Sequence, residues 1–63
     1  MIAKCINNSH YEDFLRTNKY YKILEGNKNS TFISVKGEKN QIVECYTVRF
    51  VDFRRNNFEE RIQ

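Results

Sequence analysis

The chain has 63 residues, of which 40% are hydrophobic and 30% charged, and its formal net charge is +3. A domain of this size buries only about 60% of the surface that its unfolded chain exposes, so it has room for one small core and no deep substrate pocket. The weak positive charge identifies no partner by itself. No secretory signal and no apolar run near the ~20 residues of a membrane span are present, so we expect a cytoplasmic protein without membrane contact.

Short runs rich in β-branched and aromatic residues recur along the chain and predict strands. These runs are MIAKCI, YYKIL, TFISV and QIVECY, which begin at Met1, Tyr20, Thr31 and Gln41. Polar clusters around Gly26 and Gly37 separate the runs, and Asn and Gly in such clusters favour tight turns. Several short strands at this regular spacing predict a small antiparallel barrel or sandwich.

One segment, SHYEDFLRTN, departs from the strand pattern. Three of its side chains recur at helical spacing: Tyr11, Phe14 and Leu15. Ser9 and Glu12 match the S-x-x-E capping box that begins many helices. Because so short a helix is marginal on its own, we predict one or two helical turns, or an ordered loop, within residues 9–17.

Alternation within the runs also predicts the core and the extent of the domain. The expected core residues are Ala3, Cys5, Leu15, Tyr21, Ile23, Ile33, Val35, Val43, Cys45 and Phe50. The end of the chain, RRNNFEERIQ, is polar with two separated apolar residues, which is typical of a loosely docked terminus. We therefore predict a barrel domain over residues 1–53 and a tail over residues 54–63 that is frayed or forms a short helical turn.

The stretch CINNSHYEDFLRTNKYYKILE resembles the opening of a group of small bacterial and phage-encoded proteins with an SH3-like β-barrel. The matching positions are Cys5, Asn7, Tyr11, Glu12, Asp13, Leu15, Lys19, Tyr21, Ile23 and Leu24. The resemblance covers residues 3–52 and implies a five-stranded, mostly antiparallel barrel, with a 3₁₀ turn at YTVRF between the last two strands. Asn18 stands where the group prefers Gly, and the hairpin GNKNS is basic where it is usually acidic. Most members have no known function, so the resemblance implies a fold and no activity.

The sequence offers little for an enzyme, a metal or a cofactor. His10 is the only histidine, so neither cysteine has a specified base that could make it a thiolate nucleophile. Cys5 and Cys45 lie forty residues apart without a C-x-x-C motif, which favours two free buried thiols over zinc ligands. A disulfide between them is the alternative if their strands are neighbours. We expect a non-enzymatic protein that holds no metal and no cofactor.

Arg49 lies inside the apolar stretch VECYTVRFVDF, where a charge needs an explanation. At the expected 3₁₀ turn, a guanidinium can lie over the ring of Tyr11 or Tyr46, or pair with a carboxylate such as Glu12 or Asp13. Arg49, Tyr11 and Tyr46 are therefore predicted to be structural residues.

The candidate binding surface consists of Tyr20, Lys22, Phe32 and Lys36. If their segments are strands, Tyr20 and Phe32 face away from their neighbours in the core and lie on the surface. Exposed aromatic residues in a small barrel are typical of a protein-interaction module or of a homodimer interface. The same rings beside lysines would also suit weak binding of single-stranded nucleic acid. The sequence favours an unknown protein partner, with nucleic acid as the alternative.

Overall fold

The structure, a computed structural model, describes residues 1–55 and consists of five strands in one antiparallel sheet. The strands are β1 (Ile2–Cys5), β2 (Tyr20–Glu25), β3 (Phe32–Lys36), β4 (Ile42–Tyr46) and β5 (Phe50–Arg54), in the order β4-β3-β2-β1-β5. A 3₁₀ turn at Thr47–Arg49 joins β4 to β5, and it is the only helical element within residues 1–55. The predicted all-β class with five antiparallel strands is confirmed.

Strand β2 belongs to both halves of the sheet. Its first residues pair with β1, as in Ala3 with Tyr21, and its later residues pair with β3, as in Ile23 with Val35. The register between β2 and β3 shifts after Ile23, and such irregularities increase the twist of a strand. One cluster of buried side chains collects residues from all five strands, so the sheet curves around a single core.

The core contains all but one of the predicted residues. Those buried are Ala3, Cys5, Leu15, Tyr21, Ile33, Val35, Val43, Cys45 and Phe50. Ile23, at the register shift, is only partly buried and packs against this cluster. Thr47 is buried although no pattern predicted it, and within the part of the chain that the structure describes its hydroxyl has no hydrogen-bond partner.

Residues 9–17 form hydrogen-bonded turns. The N–H of Leu15 donates to the carbonyl of Tyr11 at 2.8 Å, which is the spacing of one α-helical turn, but the segment forms no helix. The expected capping box is wrong. His10 lies inside it with φ of 73°, a left-handed conformation that a right-handed helix excludes. The N–H of Ser9 instead donates to Oδ1 of Asn7.

Two boundary features are the turn at Asn18 and the end of β5. Asn18 has φ of 69°, so an asparagine occupies the left-handed position where the resembling group prefers glycine. Strand β5 continues to Arg54, one residue beyond the predicted domain boundary at Phe53. Most of the predicted tail, residues 56–63, lies outside the described residues.

Candidate functional site

The four predicted binding residues divide between two places on the sheet. Tyr20, Lys22 and Lys36 line one groove, here called the basic groove. Phe32 lies at the opposite end of β3 from Lys36, about 13 Å away at the rise of a β-strand. The sequence predicted one surface, and the register of the strands makes two.

The basic groove is an open depression of about 280 Å³ that also includes Lys19 and Glu38. Lys19 Nζ lies 2.7 Å from a carboxylate oxygen of Glu38, and the hydroxyl of Tyr21 donates to the same oxygen at 2.5 Å. These two contacts hold the pKa of Glu38 below its usual range. The one carboxylate lining the groove is therefore already neutralised by the protein's own side chains, and its lysines give it a positive character.

The side chain of Tyr20 contacts two residues of β5. Its hydroxyl donates to Asp52 and accepts a hydrogen bond from Arg54 at 2.7 Å. The guanidinium of Arg54 also lies 4.9 Å from the centroid of the Tyr20 ring and forms an ion pair with Asp52. Tyr20 is also partly buried, so its ring is less available for stacking than the exposed rings of Phe32 and Tyr46.

Phe32 forms an exposed aromatic pair with Tyr46 of β4. The two residues are in register, their ring centroids are 4.8 Å apart and the ring planes differ by 26°. Phe32 is 49% exposed and Tyr46 53% exposed. The neighbouring contact, from the N–H of Thr47 to the carbonyl of Thr31 at 3.0 Å, makes the adjacent pair hydrogen-bonded. Phe32 and Tyr46 therefore form a non-hydrogen-bonded pair, the type in which opposite side chains come closest.

Glu44 lies on the same outward side of β4, two residues from Tyr46. It is exposed and in register with Ser34, and no ion pair to its carboxylate is formed within residues 1–55. Residues two positions apart along one strand are separated by about 6.6 Å. We call Phe32, Ser34, Glu44 and Tyr46 the aromatic face. It combines stacked rings with a carboxylate that forms no ion pair within residues 1–55.

Arg49 fastens the loop after β1 to the rest of the fold. Its guanidinium lies 5.2 Å from the centroid of the Tyr11 ring and donates to the carbonyls of Ser9 at 2.9 Å and Asn7 at 3.3 Å. Tyr11 in turn donates its hydroxyl to the carbonyl of Glu44 at 3.2 Å. Backbone carbonyls thus take the place of the carboxylate partners that the sequence suggested.

Two residues of the aromatic face, Glu44 and Tyr46, were not among the binding residues predicted from the sequence. Tyr46 was expected to be structural, but it lies on the surface against Phe32 and not under Arg49. A signal for both was present in the run IVECY. Alternation places Val43 and Cys45 in the core, and hence Glu44 and Tyr46 on the outward side.

The remaining groups with chemical potential are the two cysteines. Both are free and buried, and burial raises the pKa of the Cys5 thiol and raises that of Cys45 to about 11. Within residues 1–55, no three His, Cys, Asp or Glu side chains are grouped so that they could hold a metal ion. The described residues also contain no helix that is long and apolar enough to cross a membrane.

Comparison with known proteins adds no relative. No family model matches the chain, and neither a curated protein nor a solved structure shows significant similarity to it. The resemblance to small SH3-like barrels of bacteria and phages therefore stays a prediction, and the function is argued from the surfaces alone.

Proposed function

We propose that the chain is a non-enzymatic binding module that contacts a protein partner through the aromatic face. The observation that carries this proposal is the stacked pair of Phe32 and Tyr46, each about half exposed. Aromatic side chains dominate the energetics of protein interfaces because they bury a large area and lose little conformational entropy. Stacking fixes each ring before binding, which lowers that entropic cost further.

Single-stranded nucleic acid is the second candidate, supported by the lysines Lys19, Lys22 and Lys36 along the basic groove. Binding of this kind needs open rings beside the basic residues. Here Tyr20 is partly buried and contacts Arg54, and the more exposed rings of Phe32 and Tyr46 lie beside the carboxylate of Glu44, which repels phosphate. These placements favour a protein partner.

The first experiment uses affinity capture followed by binding of the purified partner. The wild-type chain, Phe32→Ser and Ile6→Ser are compared, because Ile6 is an exposed apolar residue of similar accessibility away from the aromatic face. The captured protein is purified and titrated with each variant by calorimetry. We expect Phe32→Ser to weaken binding at least tenfold, which is about 1.4 kcal/mol, and Ile6→Ser to leave it unchanged. Equal binding by all three chains would contradict the proposal.

The second experiment separates the two candidates. A mixed-sequence single-stranded oligonucleotide is titrated into the labelled chain at low and high salt, with amide chemical shifts as the readout. Contacts to phosphates release counterions, so nucleic-acid binding weakens steeply as salt rises. We expect no saturable shifts in the basic groove at either salt. Shifts of Tyr20, Lys22 and Lys36 that disappear at high salt would favour nucleic acid instead.

A further inference from the structure

Three of the four tyrosines are each covered by a cation of the chain itself. Arg49 lies 5.2 Å from the ring centroid of Tyr11, Arg54 lies 4.9 Å from that of Tyr20, and Lys19 lies 5.8 Å from that of Tyr21. A cation within about 6 Å of a ring centroid is attracted by the negative face of the ring. Among the contacts within residues 1–55, the same interaction therefore occurs at three tyrosines and not at Tyr46.

Two of these tyrosines, Tyr20 and Tyr21, each belong to a group of three side chains: the tyrosine, a cation and a carboxylate that contacts both. Arg54 contacts both Tyr20 and Asp52, and Asp52 accepts the hydroxyl proton of Tyr20. The second group has the same composition, because Lys19 and the hydroxyl of Tyr21 share Glu38. In each group the cation contacts a ring and a carboxylate at once, and the carboxylate is neutralised by that contact.

Tyr46 also has an exposed carboxylate nearby, although Glu44 makes no hydrogen bond with the Tyr46 hydroxyl, and no cation lies over this ring within residues 1–55. Glu44 lies two residues away on the same outward side of β4. Residues 1–55 place no Lys or Arg over the Tyr46 ring and pair none with Glu44. Phe32 covers one side of the ring, and Tyr46 as a whole remains 53% exposed.

We propose that the partner supplies the missing cation: an arginine side chain of the partner protein lies over Tyr46 and pairs with Glu44. This inference rests on the proposed function and names the chemistry that the aromatic face recognises. Arginine fits better than lysine, because a planar guanidinium stacks on a ring while its N–H groups at the edge bind a carboxylate. A separation of about 6.6 Å along the strand leaves both groups within reach of one guanidinium.

A blocked synthetic peptide, acetyl-Gly-Leu-Arg-Leu-Gly-amide, provides the test. It is titrated into the labelled chain beside two versions in which citrulline or lysine replaces arginine, since citrulline keeps the shape and removes the charge. We expect saturable shifts at Phe32, Glu44 and Tyr46, and nuclear Overhauser effects between the arginine side-chain protons and the Tyr46 ring. The arginine peptide should bind about fivefold more tightly than the citrulline peptide, with lysine between them.

Two charge-neutralising variants complete the test. Glu44→Gln removes the carboxylate of the aromatic face, and Asp13→Asn removes an exposed carboxylate in the turn segment and serves as the control. We expect Glu44→Gln to weaken binding of the arginine peptide about fivefold and Asp13→Asn to leave that binding unchanged. The inference is overturned if the peptide does not bind at the aromatic face, if citrulline binds equally, or if the two variants behave alike.

The purified partner from the capture experiment distinguishes this inference from the proposed function. If Phe32→Ser abolishes its binding and Glu44→Gln does not, the aromatic face is the contact surface and arginine recognition is wrong. If neither substitution changes binding, the proposed function itself is wrong.

Discussion

At the scale of single residues, Arg49 holds the loop after β1 against the 3₁₀ turn. Its guanidinium donates to two backbone carbonyls and to Oδ1 of Asn7 while one face lies over Tyr11. All three bonds come from Nη1 while the guanidinium plane lies over the ring, whereas a lysine ammonium is a compact charge without a stacking plane. Arg49 thereby adds polar contacts to a loop that is also held by the buried side chain of Leu15.

We predict that Arg49→Ala lowers the free energy of unfolding by about 1–2 kcal/mol, because several hydrogen bonds and a cation–π contact are lost together. Arg49→Lys should fall between this variant and the wild type. Urea denaturation followed by circular dichroism measures the change.

Arg16→Ala is the matched control, with the same change of charge. The Arg16 side chain is 78% exposed and its Nε lies 3.9 Å from Glu38, so its removal should change stability by no more than about 0.5 kcal/mol. If Arg49→Ala is no more destabilising than this control, the structural role of Arg49 is refuted.

At the scale of elements, the turn that leads into β2 depends on one left-handed residue. Asn18, with φ of 69°, donates its backbone N–H to the carbonyl of Cys5 at 2.6 Å. The backbone N–H of Cys5 donates to the carbonyl of Lys19 at 2.9 Å. These two bonds join the end of β1 to the start of β2. The conformation of Asn18 therefore helps to set the register in which Tyr20 and Tyr21 pair with β1.

Substitutions at Asn18 test this dependence. We predict that Asn18→Ala lowers the free energy of unfolding by about 1 kcal/mol, because alanine lacks the short polar side chain that lets asparagine adopt the left-handed region, while Asn18→Gly retains nearly full stability. Asn29 provides the control pair. It is a turn asparagine without positive φ, so glycine there should be no better than alanine. Thermal unfolding of the four variants gives the comparison, and an equal effect of Ala and Gly at Asn18 would count against it.

At the scale of the whole molecule, the core contains acidic groups that are kept protonated. Burial raises the pKa of Cys45 from 9.0 to about 11, and burial together with the hydrogen bond to Glu38 raises that of Tyr21 from 10.0 to about 12. The folded state consequently holds these protons more tightly than the unfolded state does. The contribution of these two groups to the free energy of unfolding is fully present below their unfolded pKa values. It is lost as the pH rises through their folded pKa values.

We predict that the free energy of unfolding is nearly independent of these two groups below pH 9 and falls progressively between pH 9 and pH 12. Urea denaturation across this range measures the fall. Cys45→Ala should have a shallower decline between pH 9 and pH 11, because one of the titrating groups is gone. A decline as steep as that of the wild type in this variant would show that Cys45 does not contribute.

The sequence alone determined the strands, most turns and the core, since these depend on local patterns. Alternation within IVECY and TFISV decides which side chains point inward whatever their partners are, and Asn and Gly favour turns for reasons within the residue itself. The same reasoning could not foresee the buried hydroxyl of Thr47, because a single threonine in a short turn belongs to no periodic pattern.

Only the tertiary structure decided which outward side chains meet. Phe32 reaches Tyr46 because β3 and β4 pair in that register, and Tyr20 reaches Arg54 because β2 and β5 both flank β1. These partners lie 14 and 34 residues apart in the chain. A strand's own sequence fixes which side of the sheet each residue faces, but strand order and register are set by closure of the whole sheet around one core. For this reason the four candidate residues predicted from the sequence lie on two separate surfaces, and the aromatic face also includes Glu44 and Tyr46.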